Sequence, residues 1–212
     1  MDIKDLIIGT LPDPINEPFP HIISDNFLNL NILNKLLESF PDINEVGWNG
    51  NRDVKMEMGR DSSIWPEIGQ DVFKILLSKE FCNILSTAFN IPRIAGTTFG
   101  AGYHISDVNS SLPMHIDWQE YRGLYRWLNV HIFLNKDWLP HYGGELELGQ
   151  SVAIEPKFGR FVSFLSSTKS LHGHPNKWKS HIPRKSIAVY YFSNIPVPGY
   201  DAKLDPFRRI KI

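Results

Sequence analysis

The periodicity of this chain changes near Pro92, and that change limits the folds open to it. Before Pro92, LNILNKLLESF places Leu30, Leu33, Leu37 and Phe40 at helical spacing and is closed by Pro41. PEIGQDVFKILL reads as a second helix with Pro66 in its first turn, and Ser78 can cap a third, KEFCNILSTAF, on which Phe81, Leu85, Ala88 and Phe89 recur before Asn90 and Pro92. After Pro92 the apolar runs are short, β-branched or aromatic, and separated by Gly, Pro and Asn: RIAGTTF, WLNVHIFL, ELEL, SVAIE, RFVSFL and SIAVYYF. Short strands without interposed helices predict an antiparallel sandwich or barrel, with the helices covering one outer face. No internal repeat or low-complexity linker divides the chain, so one unit is expected.

Charge narrows the range of partners. Lys plus Arg number 22 and Asp plus Glu 23, which disfavours nucleic acid or an anionic membrane as partner, because such binders carry a basic excess. The single cysteine, Cys82, cannot close an internal disulfide or build a cysteine metal site, so any metal must be held by histidine and carboxylate. The apolar run Leu6 to Ile8 is too short for a signal peptide, and no run approaches the roughly 20 residues of a membrane helix, so a cytoplasmic protein is expected. The Asn and Asp residues before position 60 lack calcium-loop spacing.

The most informative strand is WLNVHIFL. Strict alternation puts Trp127, Asn129, His131 and Phe133 on one face and Leu128, Val130, Ile132 and Leu134 on the other. The aliphatic face suits packing under helices, which turns Asn129 and His131 into the barrel, where each needs a partner or a ligand. A core histidine satisfied by a neighbour is the plainer account of His131. In MHIDW, His115 and Asp117 are two apart on a strand and can offer one nitrogen and one oxygen to a single metal ion. SLHGHPN adds His172 and His174, and PRKSIAVYYF opens a strand on which Arg184 and Ser186 share a face. Two histidines and a carboxylate leave three positions of an octahedral ion open, as in non-haem Fe(II) oxygenases, and an inward arginine beside a hydroxyl would clamp a carboxylate.

From about Phe19 to Ser193 the sequence resembles the 2-oxoglutarate and Fe(II)-dependent oxygenases, within them the prolyl 4-hydroxylase-like branch. The likeness rests on FPHIISDNFLNLNILNKLLESFP, FLNKDWLPHYGGELEL, AIEPKFGRFVSF, SLHGHPN and RKSIAVYYFS, in that order. It implies a mainly β fold with flanking helices, a double-stranded β-helix (jelly roll, cupin-like) core with N-terminal helices packed on the major sheet. A single oxygenase domain would span residues 1–212, with helical support over 1–92, the core over 93–195 and a C-terminal tail over 196–212.

Position by position, the resemblance makes His115, Asp117 and His172 the Fe(II) ligands, His172 being preferred to His174 as the first His of an HG pair. His174 becomes a supporting or loop residue. Arg184 would bind the distal carboxylate of 2-oxoglutarate with Ser186 beside it, while Lys185 faces away. Relatives commonly carry a Tyr at the position of Phe133 whose hydroxyl assists that carboxylate, and His131, on the same face, is the candidate replacement, with Asn129 nearby. The implied reaction uses Fe(II), 2-oxoglutarate and dioxygen to hydroxylate an unactivated C–H bond, with release of succinate and CO2. The substrate would be a peptidyl-proline, another amino-acid side chain or a small molecule, bound at a rim containing Tyr103, His104, Trp118 and Trp178. Gly143 and Gly144 read as a tight turn, and Glu145 and Glu147 as solvent-side charges. Two alternatives use the same barrel: a cupin-type metal protein with a His172/His174 pair and no need of 2-oxoglutarate, and a binding module without turnover.

Overall fold

The computed structural model describes residues 1–59 and 62–201, so the expected tail lies largely outside the described residues. Four helices precede the main run of strands: α1 (Ile3–Leu6), α2 (Leu30–Glu38), α3 (Glu67–Leu76) and α4 (Lys79–Phe89). Ser78 caps α4 by accepting from the Phe81 amide, and Asn90 ends it in the left-handed conformation. Pro66 sits just before the first turn of α3 rather than within it. On α2 the buried residues are Leu33 and Leu36, whereas Leu30 is exposed, so the apolar face is rotated from the one the sequence predicts. No helix among the described residues is long and apolar enough to cross a membrane.

The strands are β1 (His21–Ser24), β2 (Asn49–Asn51), β3 (Lys55–Met58), β4 (Ala95–Ser106), β5 (Leu112–His115), β6 (Glu120–Tyr121), β7 (Leu124–Phe133), β8 (Leu146–Leu148), β9 (Val152–Ile154), β10 (Phe161–Leu165), β11 (His172–His174) and β12 (Arg184–Ser193). They form two antiparallel sheets. The major one runs β1-β10-β7-β12-β4-β3-β2 with β6 on β7, and the minor one β5-β11-β8-β9. The fold is the jelly roll that the resemblance implies, though the first half supplies more than helices: β1, β2 and β3 extend the major sheet at its two edges. In the β2–β3 hairpin, β2 (NGN) carries no apolar residue and the alternation of β3 (KMEM) is only two methionines long, too short to be read as a strand.

Alternation decides what lies on each side of the major sheet. Its outer face carries Leu128, Val130 and Ile132 of β7, with Ile187, Val189 and Tyr191 of β12, all packed in one core with Leu33, Leu36, Val72, Phe73, Phe81 and Leu85 of the helices. Phe133, Val162 and Phe164 turn inward and meet Leu146, Leu148 and Ile154 of the minor sheet. Trp127 departs from strict alternation. Tyr191 of β12 pairs with Leu128 and the next residue, Phe192, pairs with Arg126, so Trp127 is the extra residue of a β-bulge. Its ring joins the helix-side core and its Nε1 donates to the Ile195 carbonyl. The same bulge returns Arg126 to the inner face.

Candidate active site

Inside the roll, a cavity between the sheets is lined by Lys55, His104, Leu112, His115, Asp117, Asn129, His131, Phe133, Leu146, His172, Gly173, His174, Arg184, Ser186 and Tyr190. Five of the eight histidines of the chain therefore face one space. At one end His115, Asp117 and His172 can offer three ligand atoms lying within 4.8 Å of one another. His115 Nε2 is 3.7 Å from Asp117 Oδ1, and His172 Nε2 is 3.5 Å from Asp117 Oδ2. His115 ends β5 and pairs directly with His172 at the start of β11, so strand register brings the two imidazoles together.

The orientation of the two rings is set by backbone carbonyls. His115 Nδ1 lies 2.9 Å from the Pro113 oxygen and His172 Nδ1 2.8 Å from the Ser170 oxygen. A carbonyl can only accept, so each Nδ1 carries a proton, and in the neutral form of the ring Nε2 presents its lone pair towards Asp117. Such an outer partner on a ligating histidine fixes tautomer and ring together.

Asp117 is held just as closely. Its Oδ2 accepts from Asn129 Nδ2 at 2.7 Å and faces Arg126 Nη1 at 2.7 Å. Burial opposes its ionisation, but Arg126, His172, the Asn129 hydrogen bond and His115 together hold the carboxyl well below the usual range. The guanidinium of Arg126 stacks between Trp118 and Tyr190, 4.2 Å from each ring centroid. Sequence reading misses Arg126 because the bulge at Trp127 breaks the period that alternation relies on.

Arg184 occupies another part of the cavity wall. It is 6% exposed, donates Nε to the Gly144 carbonyl at 2.9 Å and lies 5.0 Å over the Phe133 ring. Burial lowers its pKa to about 10, so it remains a cation at neutral pH, and it makes no ion pair among the described residues. Ser186 stands two residues on along β12, on the same face. His131 stacks between Phe133 and Phe164 at interplanar angles of 11° and 12°, with its Nε2 buried and unpartnered among the described residues. Burial, His172 and Arg184 depress its pKa to about 3, so the ring is neutral.

Several expected residues stand elsewhere. Tyr103 is fully buried on the helix side against Phe40, Trp65 and Phe73, not on a rim. Its neighbour His104 lines the cavity, as adjacent strand residues must point to opposite faces. Trp178 is 1% exposed, bonds the Ile182 carbonyl through Nε1 and packs near Tyr142, a structural position. Trp118 remains partly exposed beside the site, stacked on Phe192. Asn129, expected at the cosubstrate, donates to Asp117. His174 is a buried strand residue rather than a loop residue. Gly143 caps a short 3-10 helix over Pro140–Tyr142, and it and Gly144 both take positive φ, 67° and 72°, on the way into β8. Glu145 is not a plain solvent charge, since its Oε2 is buried and its field reaches Arg184, and Glu147 accepts from Asn176.

Residues 101–192 match the family model of the 2OG-Fe(II) oxygenase superfamily. They belong to it. The matched segment contains His115, Asp117, His172 and Arg184, and the protein is a 2-oxoglutarate-dependent dioxygenase using Fe(II), 2-oxoglutarate and dioxygen. Among solved structures, a Pseudomonas putida prolyl-4-hydroxylase superposes with a TM-score of 0.61 at 15% identity, covering 81% of this chain and 91% of the other. A Trichoplax adhaerens prolyl hydroxylase in complex with a hypoxia inducible factor oxygen degradation domain peptide fragment gives 0.56 at 20%, covering 81% and 83%. A viral collagen prolyl hydroxylase from Paramecium Bursaria Chlorella virus-1, in its 2OG complex, gives 0.56 at 14%, covering 82% and 96%. At these identities the likeness is one of fold. No curated protein matches the sequence.

The donor set of this oxygenase core fits the metal its superfamily uses. Two imidazole nitrogens and one carboxylate oxygen suit a non-haem Fe(II) centre with open positions, and a buried cation without an ion pair among the described residues suits a dicarboxylate cosubstrate.

Proposed function

We propose that His115, Asp117 and His172 hold Fe(II), and that Arg184, with Ser186 and His131, receives the distal carboxylate of 2-oxoglutarate. The reaction is hydroxylation of an unactivated C–H bond, releasing succinate and CO2, on a peptidyl-proline or another amino-acid side chain of a peptide. The observation that carries this reading is the pairing, in one cavity, of a His-Asp-His group with both Nε2 atoms turned inward and a buried arginine that has no ion pair among the described residues. When bound, the iron with 2-oxoglutarate and dioxygen supplies the oxidising power that an apolar C–H bond requires.

The protein's own residues do the positioning. Pro113 and Ser170 carbonyls aim the two imidazoles, while Arg126 and Asn129 keep the Asp117 carboxylate ionised and fixed. Gly144 aims Arg184. Phe133, Phe164 and Leu146 exclude water from the cavity wall. The aromatic shelf of Trp118, Tyr121 and Phe192 beside Asp117 offers a surface for an apolar segment of the substrate. A peptide substrate follows from the likeness to prolyl hydroxylases, one of which is seen with a peptide fragment.

Titration of 2-oxoglutarate into the anaerobic Fe(II) protein tests the site. A visible metal-to-ligand charge-transfer band is expected, lost in Asp117→Ala and weakened in Arg184→Leu. Failure to see a band in the unmodified protein favours a cupin-type metal protein. Succinate formation with dioxygen then separates an oxygenase from a binder, and a peptide screen scored by gain of one oxygen identifies the substrate.

A further inference from the structure

His174 stands two residues beyond His172 on the same face of β11, yet its hydrogen bonding is reversed. The backbone N–H of Leu112 donates to its Nδ1 at 3.2 Å. An atom that accepts from an amide cannot carry a proton, so the imidazole proton of His174 resides on Nε2. This follows from the bond itself. In the metal-site histidines the carbonyls of Pro113 and Ser170 produce the opposite tautomer. His174 is therefore built as a donor and cannot serve as a second ligand of an HxH pair in this arrangement.

The Nε2–H has no partner among the described residues. The ring is 3% exposed, lines the cavity and leaves Nε2 buried and unbonded. Buried N–H groups are rarely left unmet, because each one loses its hydrogen bonds to water on folding. Its electrostatic surroundings show which end of the cavity it serves. After burial, the charges acting most on His174 are, in order, Arg184, Lys55 and His115, whereas those acting on His172 are Asp117, His115 and Arg126. Two residues along a strand span about 6.8 Å, comparable to the length of a five-carbon dicarboxylate.

We infer that His174 donates its Nε2–H to the distal carboxylate of 2-oxoglutarate, on the side opposite its partner strand β5 and alongside Arg184. This rests on the proposed function above, which places that carboxylate at Arg184. The bulge that makes it possible lies in β5: His172 pairs with His115 but His174 pairs with Leu112, so three residues of β5 run against two of β11. Without that offset the Leu112 amide would not stand opposite His174.

The test is cosubstrate affinity in the anaerobic Mn(II) protein, measured by calorimetry with 2-oxoglutarate and with 2-oxobutyrate, which lacks the distal carboxylate. His174→Asn keeps an acceptor near the Nδ1 position but loses the inward donor, while His174→Gln can return an N–H near the Nε2 position. The expected result is 2-oxoglutarate affinity lowered about tenfold or more in His174→Asn (1.4 kcal/mol per tenfold), largely restored in His174→Gln. Affinity for 2-oxobutyrate and for Mn(II) should stay within twofold. Unchanged 2-oxoglutarate affinity in His174→Asn, or equal losses for both acids, overturns the inference. Arg184→Leu is the control: if it leaves 2-oxoglutarate binding intact, the cosubstrate reading itself is at fault. Should the variants not fold, nitrogen-15 spectra of the unaltered Zn(II) protein decide it, because adding 2-oxoglutarate must shift the His174 Nε2–H resonance, and an unmoved resonance overturns the inference.

Discussion

Replacing Arg126 by Leu removes the cation that faces Asp117, and the structure permits an estimate of the loss. The guanidinium is 3% exposed and Asp117 17% exposed, with 2.7 Å between Nη1 and Oδ2. At an effective dielectric constant near 20, unit charges about 4 Å apart interact by about 4 kcal/mol. Most of this is set against the cost of burying both ions, so the useful quantity is the cost of breaking the pair, about 3–5 kcal/mol for a buried partner left alone. The two stacked contacts on Trp118 and Tyr190 add to the loss. Two outcomes follow for Arg126→Leu: apo-protein stability falls by about 3 kcal/mol in urea unfolding, and metal affinity falls about 10–100-fold, as for other outer partners of a metal ligand. Asp117→Asn removes the charge that Arg126 neutralises, so the double variant should lose less than the sum of the two singles. Stability within 0.5 kcal/mol of the parent, or strictly additive losses, would refute the account of Arg126 as the group that keeps Asp117 ionised and aimed.

His131→Leu should weaken 2-oxoglutarate binding by about 1.5–3 kcal/mol, the value of a hydrogen bond to a charged group, and an unchanged dissociation constant in calorimetry would remove His131 from the cosubstrate site. Apo-protein stability should fall as pH drops below about 6.5, because the folded His131 holds its proton only near pH 3 while the unfolded residue takes it up near 6.5. The unfolded state binds more protons across that window, so stability rises with pH through it by up to about 1.4 kcal/mol per unit from this residue; urea midpoints of His131→Leu should show a shallower slope, and an identical slope contradicts the assignment. Gly144→Ala places a Cβ at φ 72°, 2.5 Å from Trp178 Cε3 and 3.3 Å from Arg184 Cδ. It should cost roughly 1–3 kcal/mol by strain and weaken 2-oxoglutarate more than it weakens metal, read from thermal melts and paired titrations.

The parts of this molecule legible in the sequence are those governed by a regular period or a local cap. Ser78 and Asn90 bound α4 through contacts within a few residues of themselves, and the aliphatic residues of β7 reach the helices because a strand alternates. The HxD pair and the RxS pair are legible for the same reason, since residues two apart share a face. What escaped depends on partners remote in sequence. Arg126 points inward only because β12 skips Trp127, and β3 joins the major sheet only because Met58 finds Tyr103 across β4. Tyr103 and Trp178 invited a functional reading as large aromatics near the motifs, but period two separates Tyr103 from His104, and Trp178 bonds Ile182 within its own loop.

The histidines mark the limit most clearly. His115, His172 and His174 have the same side chain and line one cavity, and the spacing HGH leaves either of its members open as a ligand. What separates them is one atom on the other side of each ring. A carbonyl opposite Nδ1 forces the proton there and frees Nε2 for a metal, whereas an amide opposite Nδ1 forces the proton onto Nε2 and makes the ring a donor. Which backbone group faces the ring is decided by strand register, and the register here turns on a bulge over Pro113 and Met114, of which Pro113 has no N–H to give to the ladder. A substitution that removed the bulge would thus alter the chemistry of His174 without touching it: Leu112 would slip out of line, Nδ1 would be free to carry the proton, and the inward nitrogen would become a lone pair able to compete for the metal.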